Sequence, residues 1–220
     1  MRINVYIAQA TGLSRRSADK AIAEGRVIIN DHIASIGESV NTDDSIKLDE
    51  KLLLAPQTKT LVALNKPRGY VVSRKGQGAK TIYDLLPEKY HVLKPVGRLD
   101  KDSSGLLLLT NDGKLAQNLT HPSAQKNKVY LVGLNLPLKE SDVNDLNRGI
   151  QLVDGLSRLS ISGMSNDRKS MTVTISEGRN RQIRRTFAAL QYRVISLHRI
   201  RFGEYDIKNL KPGEYLKITD

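Results

Sequence analysis

The chain's 220 residues suffice for one substantial core with a smaller appended module. The absence of cysteine excludes a disulfide framework, a thiolate nucleophile and a cysteine zinc site, and the four histidines, His32, His91, His121 and His198, have no short-spaced partner for a metal. Chemistry without metal or other cofactor is therefore expected, and the formal charge of +12 points to a polyanionic partner.

That charge is unevenly placed. Residues 1–59 hold 8 basic and 8 acidic side chains, so the whole excess falls on residues 60–220. Within that part "GRNRQIRRTFAALQYRVISLHRIRF", 178–202, carries seven arginines and no acid, a density that fits nucleic acid better than solubility. No apolar run approaches the roughly 18 residues of a membrane span, and "MRINVYIAQATG" lacks the apolar stretch and cleavage site of a secretion signal, so a soluble cytoplasmic protein is expected.

In chain order, "RINVYIAQATG" reads as a short amphipathic helix with Ile3, Ile7 and Ala10 on one face and Gly12 as its stop. "SRRSADKAIAEG" reads as a second helix, capped by Ser14, burying Ala18, Ala21 and Ile22 and ending at Gly25. "RVIIND" and "DSIKLDE" are strand-like, with Asn30-Asp31 as a turn. The first 48 residues thus form an αα-hairpin with a small β-hairpin, with Arg15, Arg16, Lys20 and Arg26 along and just after the second helix. Residues 49–59, with Pro56, read as a linker.

Over 60–220, "LVALN", "GLLLLT", "KVYLVGL", "LSISGM", "SMTVTIS", "VISLHRIRF" and "EYLKIT" are expected strands. "TIYDLLP", "GKLAQNL", "KESDVNDLNRG" and "RQIRRTFAAL" are expected helices. Their irregular mixture predicts an α+β domain on a mainly antiparallel mixed sheet flanked by helices.

Three segments can carry chemistry. In "GRLDKDSSGLLLLTNDG", Leu106–Leu109 reads as a buried strand closed by a turn at Asn111-Asp112-Gly113. The Gly- and Ser-rich loop before it presents Asp100 and Asp102, anchored by that strand. Local composition makes either aspartate a turn-former as readily as a catalyst. In "QKNKVYLVGL", Tyr130 is expected on the strand face opposite Val129 and Leu131, away from the apolar side, where it could stack on a base. In "EGRNRQIRRTF", Arg181, Arg184 and Arg185 are expected on one helix face, fit for phosphate or for fixing a carboxylate by a forked hydrogen bond.

Two resemblances then organise these readings. "SRRSADKAIAEGRVIIN" resembles the small RNA-binding module first described in ribosomal protein S-four, which implies RNA contact by Arg15, Arg16, Lys20 and Arg26. "GRLDKDSSGLLLLTNDG", "HPS…K.Y.V" and "EGRNRQIRR.F", in that order behind such a module, resemble the bacterial ribosomal-RNA pseudouridine synthases of the RsuA family across essentially the whole chain. Gln191 stands where that family usually has Gly.

The resemblance implies a pseudouridine synthase domain over 60–220 after the 49–59 linker. It implies isomerisation of uridine in ribosomal RNA without cofactor; the segment "TNDGKLAQNLTHPS" favours 23S RNA, with the same reaction on 16S RNA as the alternative. Asp100 is then the catalytic carboxylate, Tyr130 the residue stacked on uracil, and Arg184 the cation that keeps Asp100 ionised and aimed. Asp102 is left to shape the loop. Arg98, Lys128, Arg179, Arg181 and Arg185 become candidates for the RNA backbone, and a monomer with a mobile first module is expected. The target base must leave its stack to be reached. The rival readings are a non-catalytic RNA-binding assembly protein of the same fold and a two-carboxylate glycoside hydrolase, for which Asp100 and Asp102 would be the pair.

Overall fold

A computed structural model describes residues 1–41, 43–54, 59–121, 126–207 and 209–218. Helix α1 spans Ile3–Thr11 and ends where Gly12 turns left-handed at φ 77°. Helix α2 spans Arg15–Ala23, with the Ser14 hydroxyl accepting from Ser17 N–H as its N-cap. Strands β1 (Val27–Ile29), β2 (His32–Ile33), β3 (Ile46–Leu48) and β4 (Lys51–Leu52) form a small antiparallel sheet in the order β2-β1-β3-β4. Ile3, Ile7, Ala18, Ala21, Ile22, Val27, Ile29 and Ile46 bury one core between helices and sheet.

Strand β4 lies inside the expected linker: Lys51 and Leu52 pair with Leu48 and Lys47 and extend the sheet, which short alternation could not reveal. Pro56 lies outside the described residues. The helical module touches the larger body, since Lys94 Nζ donates to Leu13 O at 2.8 Å and Gln9 Nε2 to Asn111 O at 3.5 Å.

That larger body is built on strands β5 (Leu61–Lys66), β6 (Lys94–Pro95), β7 (Ser104–Thr110), β8 (Lys128–Leu134), β9 (Ile150–Leu152), β10 (Gly155–Ser157), β11 (Ser160–Ser162), β12 (Ser170–Ile175), β13 (Val194–Phe202), β14 (Tyr205–Asp206) and β15 (Tyr215–Ile218). The main sheet runs β11-β12-β8-β13-β7-β5-β15, with β14 on β13 and β6 on β7; β9 and β10 form a separate hairpin. Among the described residues every pairing in the main sheet is antiparallel except β13 with β7, where Arg199 lies opposite Gly105. Helices α3 (Gly113–Thr120), α4 (Glu140–Arg148) and α5 (Gln182–Ala189) flank it.

The run Leu106–Leu109 is apolar on both faces because β7 is central. Leu107 and Leu109 enter one core with Val62, Leu64, Val132 and Phe187, while Leu106 and Leu108 enter a second with Leu61, Ala63 and Val96.

Three local expectations are corrected. Asn111-Asp112-Gly113 is no plain turn, because the Asp112 carboxylate accepts from Lys114 and Leu115 N–H and starts α3. "TIYDLLP" forms only a short 3-10 turn, Ile82–Leu85, opened by a Thr81–Asp84 capping box and stopped before Pro87. Arg181 is not on the face of a helix but is the N-cap of α5, at φ 45° and ψ 31°. Gln191 holds φ 66°, which explains why Gly suits that position.

Candidate active site

The loop from Gly97 to Ser103 carries both aspartates between β6 and β7. It is clamped from two sides. On one, Lys66, at the end of buried β5 and itself 0% exposed, points its ammonium at the loop's carbonyls, donating to Ser103 O at 2.7 Å, Asp100 O at 3.0 Å and Pro67 O at 3.1 Å. Gly69 N–H adds a bond to Lys101 O at 2.7 Å. Burial pushes the Lys66 ammonium down to about 8, against the opposing pull of Asp100 and Asp102.

On the other side stand two arginines. Arg184, mostly buried on α5, donates through Nη1 to Val194 O at 2.8 Å and through Nη2 to Asp102 O at 3.2 Å and Ser103 Oγ at 3.4 Å. It also lies 3.3 Å from the Asp102 carboxylate. Arg181 Nη1 reaches Asp100 Oδ2 at 3.3 Å and Asp102 Oδ1 at 3.2 Å. The expected pairing of Arg184 with Asp100 is therefore corrected: Arg181 makes it. The reason is the left-handed N-cap geometry, which throws the Arg181 side chain over the loop while Arg184, on the first turn, braces the loop from beneath.

The two acids separate in space. Asp100, with its side chain 33% exposed, opens into a cleft of about 550 Å³ whose lining also includes Leu99, Tyr130, Ile183, Leu197 and Arg199. Asp102 lies outside that cleft; it lines a shallow depression with Arg68, Gly69 and Lys101, which Asp100 and Arg181 also border. Burial opposes ionisation of Asp102, but the Arg181 hydrogen bond and the charges of Arg184 and Arg181 outweigh it and hold the carboxyl below its ordinary range. Asp102 is thus ion-paired to both arginines, whereas Asp100 pairs with Arg181 and also lines the larger cleft.

Tyr130 also corrects its expectation. It is 7% exposed and shares its face with buried Val132 and Leu134, while Leu131 on the opposite face is 46% exposed. The alternation along β8 holds, but its buried side is the one that carries Tyr130: β8 sits between β12 and β13 over the larger core, and Tyr130 belongs to that face and lines the cleft.

The basic candidates divide. Arg185 grips Asp154 with both Nη atoms, at 3.0 and 2.7 Å. Arg179 donates to Asp154 O at 2.8 Å, Asp154 Oδ1 at 3.0 Å, Gly155 O at 3.0 Å, Leu156 O at 2.8 Å and Glu177 Oε1 at 3.1 Å. Arg185 on α5 and Arg179 just before it both tie this segment to the β9–β10 hairpin, which is too short to show in the sequence pattern. Arg26 forks onto Asp49 at 2.6 Å and meets Glu24 at 3.0 Å, and Lys20 lies 3.6 Å from Glu24. Arg15 and Arg16 are exposed on α2, Arg98 is exposed at the cleft rim, and Lys128 lines the cleft.

Sequence reasoning missed Lys66, Leu197 and Arg199. The available signal for Lys66 was a lysine ending the apolar run "LVALN" directly before Pro67. Among the described residues no group of three histidine or carboxylate side chains converges to hold a metal ion.

Comparison with known proteins agrees with this geometry. The sequence profile of the family described as RNA pseudouridylate synthase matches residues 60–189. An uncharacterized RNA pseudouridine synthase of Aquifex aeolicus is 35% identical over 100% of this chain and 90% of its own length. Ribosomal large subunit pseudouridine synthase B of Bacillus subtilis is 35% identical, covering 99% of this chain and 92% of its own. Ribosomal small subunit pseudouridine synthase A of Haemophilus influenzae is 35% identical, covering 100% and 96%. A crystal structure of a pseudouridylate synthase superposes with a TM-score of 0.71 at 34% identity, over 100% of this chain and 96% of the other. The clamped aspartate loop, the tyrosine lining the cleft and a whole-length match at this identity lead to one conclusion: the chain belongs to the RNA pseudouridylate synthase family, in its bacterial RsuA branch.

Proposed function

We propose that this protein isomerises one uridine of ribosomal RNA to pseudouridine, on large-subunit (23S) RNA, with Asp100 as the catalytic carboxylate. The observation that carries this reading is the asymmetry of the two acids: Asp100 opens into the cleft that holds Tyr130, and Asp102 is held in the brace behind it. Relatives named for the large subunit and for the small subunit match equally well. The large-subunit choice rests on the segment "TNDGKLAQNLTHPS", of which Pro122 and Ser123 lie outside the described residues.

In this reading the flipped uridine enters the cleft with its base on Tyr130. Asp100, held by its ion pair with Arg181, acts at the ribose; the bond from C1′ to N1 breaks with its electron pair leaving on uracil. The base turns, C5 bonds to C1′, the C5 proton is removed with help from Tyr130, and N1, freed from the ribose, takes up a proton in its place. Nothing is oxidised or reduced, and the atoms of the product are those of the substrate. Lys66 and Arg184 keep the loop's backbone fixed through the sequence of steps. The first module, in the manner of ribosomal protein S-four, presents Arg15, Arg16 and Lys20 to RNA phosphates, with Arg98 doing so at the cleft rim.

The test uses cells lacking the protein. Their 23S and 16S RNA are mapped for pseudouridine by chemical marking and primer extension, then mapped again after complementation. One 23S site should be lost, Asp100→Asn should fail to restore it, and Asp102→Asn should restore it in part. Full restoration by Asp100→Asn overturns the assignment of the aspartate, and a lost site in 16S RNA overturns the choice of subunit.

A further inference from the structure

The floor of the cleft holds two cations that neither the aspartate chemistry nor the folded chain accounts for. Arg199 is 2% exposed; its Nε donates to Leu106 O at 2.8 Å, but its Nη2 has no hydrogen-bond partner among the described residues. Lys128 is half-buried, and among the described residues its Nζ makes only long bonds to carbonyls, Lys126 O at 3.3 Å and Glu177 O at 3.4 Å. Neither forms an ion pair with a described residue. The nearby Glu177 accepts from Arg179 and Gln182 through one oxygen, Oε1.

The sheet brings these cations together. Arg199 lies opposite Tyr130 across β13 and β8, and Phe202 lies opposite Lys128, two residues before Tyr130 on the same face. Both cations rest on the Phe202 ring, Arg199 Cζ at 5.0 Å and Lys128 Nζ at 5.1 Å from its centroid. Burial and then the Arg199 charge push the Lys128 ammonium down, with Glu177 opposing. A buried guanidinium with an unsatisfied donor beside a second cation without an ion pair is unfavourable for the free fold, and contacts with one aromatic ring offset little of that. The arrangement becomes favourable when an anion enters the cleft, because charge in a desolvated site acts strongly.

We infer that Lys128 and Arg199 form a seat for one phosphodiester of the flipped nucleotide, Lys128 meeting the phosphate and Arg199 reinforcing it from below. Both line the same cleft as Asp100 and Tyr130. With Asp100 at the ribose and Tyr130 under the base, the remaining charged part of that nucleotide is the phosphate esterified to its sugar. Uracil itself is neutral until its bond to the ribose breaks. This inference rests on the proposed function and adds Arg199 to the substrate site.

The test measures binding without turnover. In an Asp100→Asn background, Lys128→Met, Arg199→Met and the double variant are titrated with the rRNA transcript that the unsubstituted enzyme modifies, over a range of KCl. Each single variant should weaken binding roughly tenfold or more at about 0.1 M KCl. Each should lower the salt slope by about 0.7–0.9, the signature of one phosphate. The double variant should exceed the worse single one only slightly, since both cations serve the same phosphate. Arg199→Met should melt close to its parent, and Arg199→Lys should regain part of the affinity.

An unchanged affinity and salt slope in Lys128→Met overturns the seat. So does a lowered kcat at unchanged affinity when the substitutions are made with Asp100 intact, which would assign the charges to the detached base. Collapse of the melting temperature in Arg199→Met, with Lys128→Met binding normally, would make Arg199 structural and also overturns it. If the unsubstituted enzyme forms no pseudouridine in any rRNA transcript, it is the proposed function that fails.

Discussion

Replacing Lys66 by Met tests how the aspartate loop is held. The ammonium is fully buried, donates to Pro67 O, Asp100 O and Ser103 O, and is pushed down to about 8. Below that pH both the folded and the unfolded chain carry the proton, and the burial cost is present in full. Between about 8 and the ordinary lysine value of about 10.4, only the unfolded chain still binds it, so stability should rise with pH. The rise from this group is at most about 1.4 kcal/mol per pH unit, or roughly 3 kcal/mol across the window.

Met fills similar space but leaves the carbonyls of Pro67 and Ser103 without this donor, at about 1–3 kcal/mol each, while Asp100 O keeps the Ser103 N–H. Removing the desolvated charge offsets much of that loss, so Lys66→Met should fold with a modest change in stability near pH 7.5. Urea unfolding of both proteins from pH 7.5 to 10 should show the unsubstituted protein gaining stability relative to the variant. Single-turnover pseudouridine formation should slow about 100-fold, because a loop shifted by an ångström misplaces Asp100. Parallel stability curves, or an undiminished rate, would refute the reasoning.

Gly105→Ala should be severely destabilising, by more than about 3 kcal/mol in urea unfolding, because a Cβ there would lie 2.2 Å from Arg199 O at φ 107° and force β7 from β13. Gln191→Gly should raise the urea midpoint slightly, by about 0.5 kcal/mol, since relief of the left-handed conformation at φ 66° exceeds the added freedom of the unfolded chain. Asp102 is held below the ordinary carboxylate range by Arg181 and Arg184 against its burial, so its contribution is present above about pH 4 and is lost as pH falls through its folded value. Asp102→Asn should therefore flatten the acid limb of the stability curve; an acid limb identical to that of the unsubstituted protein would remove the ion pairs from the account.

Local rules made part of this protein legible in its residues alone. Ser14 and Gly12 set the ends of the first two helices through capping and left-handed geometry. The β-branched runs marked the strands of the main sheet, whereas the choice of Asp100, Tyr130 and the arginine cluster as site candidates came from the resemblance of the three ordered motifs to the RsuA family. Which partners these residues meet is a matter of long-range packing. Periodicity gave Tyr130 the correct alternation, but which face is buried depends on the elements lying over β8. Spacing placed Arg181 and Arg184 together, but the left-handed N-cap, a single pair of dihedral angles, sent Arg181 to Asp100 and left Arg184 beneath the loop. Lys66 left only the hint of a lysine ending "LVALN" before Pro67 and Arg199 left none, because a charged residue in an apolar strand reads as an edge position. Their burial arises from strands far apart in the chain, through the register of β5 on β7 and the parallel join of β13 to β7.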